Sequence, residues 1–230
     1  MRELGELPPP GGPSTPARND LPGDSARSIW LKLRSRGHMA TLHLLARVWR
    51  SSPRIAQNTA KWDSIYRNLT EERLWGDETT YRLAAEYFAD VDVVEDWGCG
   101  SGGFRHFCKT RYIGIDGSNT PFADKIVDLC NYTSSADGIL LRHVLEHNVE
   151  WEKILQNAVN SFRKKLCIIL FTPFGRKTRT TIYDPASDTV SISFCKDDII
   201  KHLSGCRWSL KEGIPTEGYY KAEHIFFVSR

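Results

Sequence analysis

The sequence predicts an α/β protein whose central sheet is mostly parallel and carries helices on both faces. Strand-like and helix-like segments alternate through most of the chain, which is typical of a parallel sheet wound on both sides. Residues 166–171 form an entirely apolar run of the kind found in central parallel strands. The last two strand-like segments follow each other without a helix, so they predict an antiparallel hairpin at the carboxyl end.

The amino-terminal half of this pattern begins with a helical region. Residues 61–90 are predicted to be helical because Trp62, Ile65 and Leu69 recur at helical spacing. Short apolar segments and glycine-containing turns then alternate. Strands are expected over residues 91–97, 112–116, 126–129 and 138–142, with a short helix over residues 102–109.

The carboxyl-terminal half has the clearest helix of the chain. In residues 150–162, Trp151 and Ile154 belong to an apolar stripe along one face. A second helix is expected over residues 196–203, because acidic residues in its first turn favour the helix dipole. The remaining strands are expected over residues 166–171, 208–214 and 221–229.

Composition and charge indicate one globular domain with an amino-terminal appendage. The 230 residues are 40% hydrophobic and 26% charged, and the longest apolar run is six residues, far below the about 20 of a membrane-spanning helix. Residues 1–26 are rich in Pro, Gly and Ser and are expected to be disordered. Residues 27–60 form a basic amphipathic arm; a cover for the core, a substrate-binding arm and a membrane-surface helix at residues 27–54 all stay open.

The net charge of +3 is unevenly distributed along the chain. Residues 1–60 hold nine Lys and Arg against four Asp and Glu, so the remainder is slightly acidic. A nucleic-acid enzyme usually carries positive charge on its folded body, so nucleic acid is disfavoured as a partner. The six cysteines include no zinc-type spacing and lie mostly in apolar runs, as expected of reduced thiols in a cytoplasmic protein.

The most informative segment is the glycine-rich turn after the first predicted strand. Gly98, Gly100 and Gly103 match GxGxxG, a pattern typical of dinucleotide binding. However, Asp96 precedes the first glycine by two residues, where a pyrophosphate would be repelled and a cation attracted. Asp116 ends the next predicted strand, where an acid can accept hydrogen bonds from ribose hydroxyls. Two acids around this turn favour a cationic nucleoside without phosphates, S-adenosylmethionine.

Three motifs carry a family resemblance. The segments EDWGCGSGG, YIGIDGS and ADGILLRHVLEHN follow one another in the order of the class I S-adenosylmethionine-dependent methyltransferases, and the last resembles the branch with V-L-E-H after the fourth strand. The resemblance covers residues 62–230, so residues 61–230 are assigned to a methyltransferase domain. It implies a Rossmann-like sheet of seven mostly parallel strands with the last strand antiparallel.

The resemblance also implies a cofactor site. Asp124 competes with Asp128 for the adenine position, and Trp97 is bulkier than the aliphatic residue usual in the family. The implied ligands are Asp96, Gly98, Gly100 and Gly102 at the methionine end, Asp116, Gly117 and Ser118 around the ribose, and Asp128 and Leu129 beside the adenine.

Candidate acceptor-side residues lie where parallel strands end, the edge at which open α/β sheets bind ligands. His143 and His147 follow the fourth strand and are the candidate general bases, because an unperturbed imidazole titrates near neutral pH. Each also has a structural alternative: orientation of the loop for His143 and support of the cofactor region for His147. Glu223 and His224 are ranked below them, because the start of the last strand could lie at either edge.

The expected activity is methylation of a small-molecule or sugar hydroxyl. No Asn-Pro-Pro-Tyr element follows the fourth strand, which disfavours nitrogen acceptors, and no cluster with metal-ligand spacing is visible, so no metal is expected. The basic residues Arg176, Lys177 and Arg179 either bind an anionic acceptor or form a solvated loop. A nicotinamide-dependent oxidoreductase and a non-catalytic relative of the methyltransferase fold are the alternatives.

Overall fold

The computed structural model of the chain describes residues 61–184 and 189–230. The predicted tail over residues 1–26 and the predicted arm over residues 27–60 therefore lie outside the described residues. None of the helices in the described ranges is long and apolar enough to span a bilayer.

Seven strands form the central sheet, and all seven were predicted. They are β1 (Val93–Trp97), β2 (Arg111–Asp116), β3 (Lys125–Ile126), β4 (Ala136–Arg142), β5 (Phe162–Leu170), β8 (Arg207–Pro215) and β9 (Ala222–Ser229). Their order across the sheet is β3-β2-β1-β4-β5-β9-β8. The first five run parallel, and β9 pairs antiparallel with both β5 and β8, so the expected antiparallel last strand is confirmed.

The antiparallel direction of β9 decides which edge of the sheet receives its first residues. His224 lies opposite Leu170, at the carboxyl end of β5. Glu223, one residue earlier, therefore reaches the same edge as the ends of β1, β2 and β4. The question that the sequence left open for Glu223 and His224 is answered in favour of the ligand-binding edge.

Helices cover both faces of the sheet, as predicted. On one face α1 (Thr79–Tyr87) packs Tyr81 and Ala84 against Val94 and Leu140. On the other face α2 (Trp151–Ser161) and α3 (Lys196–Ile200) build the larger core with the alternate side chains of β1, β4 and β5.

Two predicted helices are shorter than the sequence suggests. Helical backbone within residues 61–90 is confined to residues 61–66 and α1, and the expected helix over residues 102–109 is a single 3₁₀ turn, Gly103–His106. Gly102, with φ of +74°, and Gly103 are poor helix formers, which limits this first crossover. The predicted helix over residues 196–203 ends as a 3₁₀ turn, Lys201–Leu203.

A second sheet was not predicted. The strands β6 (Arg179–Asp184) and β7 (Thr189–Ser193) form an antiparallel hairpin between β5 and α3. Val190 and Ile192 of β7 enter the larger core. The carbonyl of Ile192 accepts a hydrogen bond from Thr172 Oγ1 at 2.7 Å, so the hairpin is fixed beside the carboxyl end of β5.

Candidate active site

The glycine-rich turn closes β1 with a backbone that side chains rarely adopt. Gly98 and Gly100 have φ of +78° and +52°, in the left-handed region that favours glycine. A Cβ at Gly98 would overlap Cγ2 of Val144, and a Cβ at Gly100 would come within 2.7 Å of Tyr66 Oη. Neighbouring side chains therefore approach the backbone of this turn closely.

Asp116 ties the turn to the end of β2. Its buried carboxylate accepts hydrogen bonds from the backbone N–H of Gly100 and from that of Ser118, both at 2.8 Å. Thr120 Oγ1 donates to the Gly100 carbonyl at 2.6 Å from the same side. Burial raises the pKa of Asp116 despite these hydrogen bonds. Gly117 lies between Asp116 and Ser118 in the chain and is partly exposed.

Asp96 is a second buried carboxyl on the same face of the sheet. It accepts a hydrogen bond from Tyr112 Oη at 2.9 Å. Burial raises the pKa of Asp96 to about 7; the Tyr112 hydrogen bond opposes this shift and the negative charge of Asp116 adds to it. The negative charge of Asp116 therefore disfavours the ionised form of Asp96, and a nearby positive charge would favour it.

The two residues predicted to lie beside the adenine, Asp128 and Leu129, differ in their exposure. Asp128 is exposed and accepts hydrogen bonds from Cys130 N at 2.9 Å and Asn131 Nδ2 at 2.7 Å, which ends β3 earlier than predicted. Leu129 is buried in the larger core. The competitor Asp124 accepts from Gly114 N at 2.7 Å and so supports β2.

A segment before α1 covers the glycine-rich turn, and the sequence analysis did not assign it to the site. Arg73 N donates to the Ser101 carbonyl at 3.1 Å, and Ser101 Oγ donates to the Arg73 carbonyl at 2.7 Å. The rings of Trp62 and Tyr66 stack at 5.6 Å, which places Tyr66 over Gly100. Trp62 and Tyr66 are four residues apart, the spacing of one helix face, and this spacing was the sequence feature that could have indicated their contact.

His143 follows β4 with a left-handed backbone, φ +57°. Its Nδ1 lies 3.4 Å from Arg142, and its Nε2 lies 3.2 Å from Glu223 Oε1 without the alignment of a hydrogen bond. Burial lowers the pKa of His143 to about 4, and the charge of Arg142 acts in the same direction. The imidazole is therefore neutral near pH 7, with a charged residue beside each ring nitrogen.

His147 lies in the 3₁₀ turn Leu145–His147 and faces the hairpin. Its Nδ1 is 3.0 Å from the Val190 carbonyl, so Nδ1 donates and Nε2 carries the lone pair of the neutral ring. Burial lowers the pKa of His147, and the contact with Val190 opposes this shift. The rings of Trp62 and Phe171 lie 5.3 Å and 5.2 Å from the imidazole.

Further polar residues support this edge of the sheet, among them Glu223, a lower-ranked candidate from the sequence. The buried Glu146 accepts a hydrogen bond from Phe171 N at 2.6 Å, and burial raises the pKa of Glu146 to about 8. Arg142 and Glu223 form a buried ion pair. The basic residues considered for an anionic acceptor are exposed: Arg176, Lys177 and Arg179.

Trp97, which is bulkier than the aliphatic residue expected at its position, has a hydrogen-bond partner on the same strand. Trp97 is fully buried, and its Nε1 donates to Glu95 Oε2 at 2.9 Å. Glu95 and Trp97 lie two residues apart, on one face of β1. The Glu95 carboxylate therefore accepts the hydrogen bond that the buried indole N–H requires.

Solved structures share this fold over most of the chain. The structure of 1,6-didemethyltoxoflavin-N1-methyltransferase from Burkholderia thailandensis, with bound S-adenosylhomocysteine, matches at a TM-score of 0.50 and 13% identity, over 94% of this chain and 92% of that chain. The N-methyltransferase NodS from Bradyrhizobium japonicum, in complex with S-adenosylhomocysteine, matches at 0.50 and 14%, over 74% and 98%.

This chain has the fold of the class I S-adenosylmethionine-dependent methyltransferases. The [4+2]-cyclase SpnF matches this methyltransferase fold equally well, at a TM-score of 0.51 and 12% identity, over 75% of this chain and 92% of that chain. At such identities the likeness relates the chains by fold, and the fold alone does not assign the chemistry. No protein-family model and no curated protein sequence matches this chain.

Proposed function

We propose that the chain is an S-adenosylmethionine-dependent methyltransferase. The observation that carries the proposal is the pair of buried carboxyl groups, Asp96 and Asp116, on either side of a left-handed glycine turn. Their raised pKa values fit a cationic ligand, because a nearby positive charge would favour both carboxylates. Methyltransferases of the same fold that were crystallised with S-adenosylhomocysteine support this assignment.

We propose residues of this chain for each part of the cofactor. We assign the ribose hydroxyls to Asp116, with Gly117 and Ser118 around them, and the adenine to Asp128 and Leu129. The methionine end is assigned to the turn residues and the acid before them: Asp96, Gly98, Gly100 and Gly102. S-adenosylmethionine supplies a methyl group on a sulfonium, whose thioether is a good leaving group.

The proposed acceptor is a hydroxyl of a small molecule or sugar. The protein then has to hold the oxygen in line with the methyl group and accept its proton. Of the two candidate bases, His147 is favoured by its tautomer, which points the lone pair away from Val190. His143 is supported less as a base, since Arg142 and Glu223 lie beside its two ring nitrogens.

Calorimetry with S-adenosylhomocysteine tests the cofactor assignment. We expect the wild-type chain to bind it and Asp116→Asn to weaken binding at least tenfold, because a charge-assisted hydrogen bond contributes about 1.5–3 kcal/mol. Asp92→Asn is the matched control, since its side chain is 90% exposed at the opposite edge of the sheet. Absence of binding to the wild-type chain would end this proposal.

Methyl transfer itself has to be separated from cofactor binding, because a cyclase shares the fold. Incubation with radiolabelled S-adenosylmethionine and fractionated cell extract should transfer label to a small-molecule or polysaccharide fraction. Tight cofactor binding without transfer to any fraction would favour the non-catalytic alternative. NADH binding at the turn would favour the oxidoreductase alternative, against which the two acids argue.

A cytoplasmic location accords with the thiols of the chain. All six cysteines, Cys99, Cys108, Cys130, Cys167, Cys195 and Cys206, are free, and burial raises the pKa of Cys130 to about 12. Such thiols suit a reducing compartment. Fractionation of cells that produce the chain tests this location.

A further inference from the structure

We propose that the methyl acceptor is a neutral phenol whose flat ring packs on a row of aromatic side chains along the carboxyl edge of the sheet. The aromatic row consists of Trp62, His147, Phe171, Tyr220 and Tyr219. This inference rests on the proposed function and narrows its acceptor from hydroxyls in general to aryl hydroxyls.

The aromatic row is continuous. The ring centroids of Trp62 and His147 are 5.3 Å apart, those of His147 and Phe171 are 5.2 Å apart, and Phe171 is followed by Tyr220 at 6.0 Å. Tyr219 extends it by a further 4.9 Å. All five rings are partly or largely exposed, and Tyr219 is 83% exposed. Phe171, Tyr220 and Tyr219 therefore present accessible aromatic surface in this part of the row.

One end of the aromatic row meets the proposed cofactor site. Trp62 stacks on Tyr66, which lies over Gly100 of the glycine-rich turn. In the middle of the row, Phe171 directly follows β5 and lies 4.9 Å from the His143 ring. An acceptor ring on this surface would lie at the edge where parallel strands end, next to the methionine end assigned above.

Two carboxyl groups beside the aromatic row already hold hydrogen bonds within the protein. Glu146 accepts from Phe171 N, and Glu223 accepts from Thr80 Oγ1 at 2.6 Å and from Arg142. Lys61 Nζ lies 5.0 Å from the Trp62 ring centre. A hydroxyl-dense sugar or an anion needs several such groups for itself, whereas a neutral aryl ring needs mainly aromatic surface, where ring pairs add about 0.5–1.5 kcal/mol each.

The base also suits a phenol. A phenolic hydroxyl has a pKa of about 10, far below that of an aliphatic hydroxyl, so a neutral imidazole can accept its proton. In the step, the phenol oxygen forms a bond to the methyl carbon and the carbon–sulfur bond breaks with its electron pair on sulfur. The phenolic proton passes to Nε2 of His147. Atoms and charge balance: the sulfonium becomes a neutral thioether and the imidazole becomes an imidazolium.

Dissociation constants for two fragment panels, neutral phenols and methyl glycosides, test the inference by ligand-observed NMR. The full chain is measured with and without S-adenosylhomocysteine. We expect phenols to bind, Phe171→Leu and Tyr220→Leu each to weaken them about fivefold, and Trp208→Leu to leave them unchanged. Trp208 is the matched control, because it is an exposed aromatic residue at the far edge, opposite Val228. Tyr220 lies in the loop before β9, so its variant keeps the test valid if Phe171→Leu unfolds.

Three results would overturn the inference: glycosides that bind in preference to phenols, phenol binding that both leucine variants leave intact, or no phenol binding at all. Calorimetry of S-adenosylhomocysteine on the same samples keeps the two proposals apart. Cofactor binding without phenol binding refutes the aryl acceptor alone. Row-dependent phenol binding without cofactor binding refutes the methyltransferase assignment and retains the aryl-binding surface.

Discussion

The guanidinium of Arg142 lies 3.2 Å from Oε1 of Glu223, with side-chain exposures of only 6% and 2%. Arg142 also donates to the Trp75 carbonyl at 2.8 Å and to Tyr81 Oη at 2.9 Å, and it lies over the Tyr81 ring. Burial opposes ionisation of Glu223, yet its pKa lies below the ordinary value because the charge of Arg142 and the hydrogen bond from Thr80 stabilise the carboxylate. The pair therefore joins the end of β4 to the start of β9 and to α1.

Removal of one partner from this pair should be costly. Glu223→Leu leaves the Arg142 charge buried without its counter-ion, so we expect a loss of about 3–5 kcal/mol in the free energy of unfolding, measured in urea. The double variant Arg142→Met, Glu223→Leu should recover much of that loss, because no charge stays buried. Lys196→Ala is the control, since its pair with Glu212 is about half exposed and should contribute less than about 1 kcal/mol. Equal losses in the single and double variants would contradict this account.

Gly98→Ala should destabilise the chain through two separate effects. A left-handed φ costs a non-glycine residue about 1–2 kcal/mol, and the new Cβ overlaps Val144, which adds about 1–3 kcal/mol of overpacking. Gly213→Ala is the matched control: its φ is +64° but no atom lies within 4 Å of the added Cβ, so only the first cost applies. Adding Val144→Ala to Gly98→Ala should recover part of the overpacking. Identical unfolding midpoints for the two glycine variants would refute the overlap.

The sheet could be predicted from the sequence because its strands are short apolar segments between clear turn residues. The antiparallel end was predicted for the same reason, since no helical pattern separates the two final strands. The hairpin of β6 and β7 could not be predicted in this way. Its strands are rich in Thr and Ser, and the apolar residues of β7, Val190 and Ile192, become informative only when packed against the rest of the core.

The acids and glycines proposed for the site could be selected from the sequence because one motif places them within about 20 residues of one another. The position of Tyr66 and the edge at which Glu223 lies could not be predicted, because each depends on a tertiary contact. Glu223 belongs to the site only if its strand runs antiparallel to β5, and Tyr66 only if the segment before α1 folds over Gly100. Local sequence patterns do not encode either condition.

Glu146 should tolerate replacement by a neutral amide but not by an apolar side chain. Burial raises its pKa to about 8, so the carboxyl is largely protonated at neutral pH, and Oε1 accepts the hydrogen bond from Phe171 N. Glu146→Gln keeps an acceptor oxygen and should change the free energy of unfolding by less than about 1 kcal/mol at pH 7. Glu146→Leu leaves the Phe171 N–H unsatisfied and should cost about 1–3 kcal/mol. If the glutamine variant is the less stable of the two, the carboxyl is ionised in the folded chain.

Asp96 should make the folded chain less stable as the pH rises through its raised pKa. The carboxyl keeps its proton up to about pH 7 in the folded chain, whereas the unfolded chain releases it near pH 4, so stability falls between these values. Asp96→Asn removes this titration and should flatten the fall by as much as roughly 4 kcal/mol, at about 1.4 kcal/mol per unit of pKa difference. Urea unfolding of both proteins at several pH values measures it. Because His143 and Glu146 titrate in both proteins, the difference isolates Asp96. Parallel pH profiles would mean that Asp96 is ionised throughout, and the proposed cofactor site would then need no proton release to bind a cation.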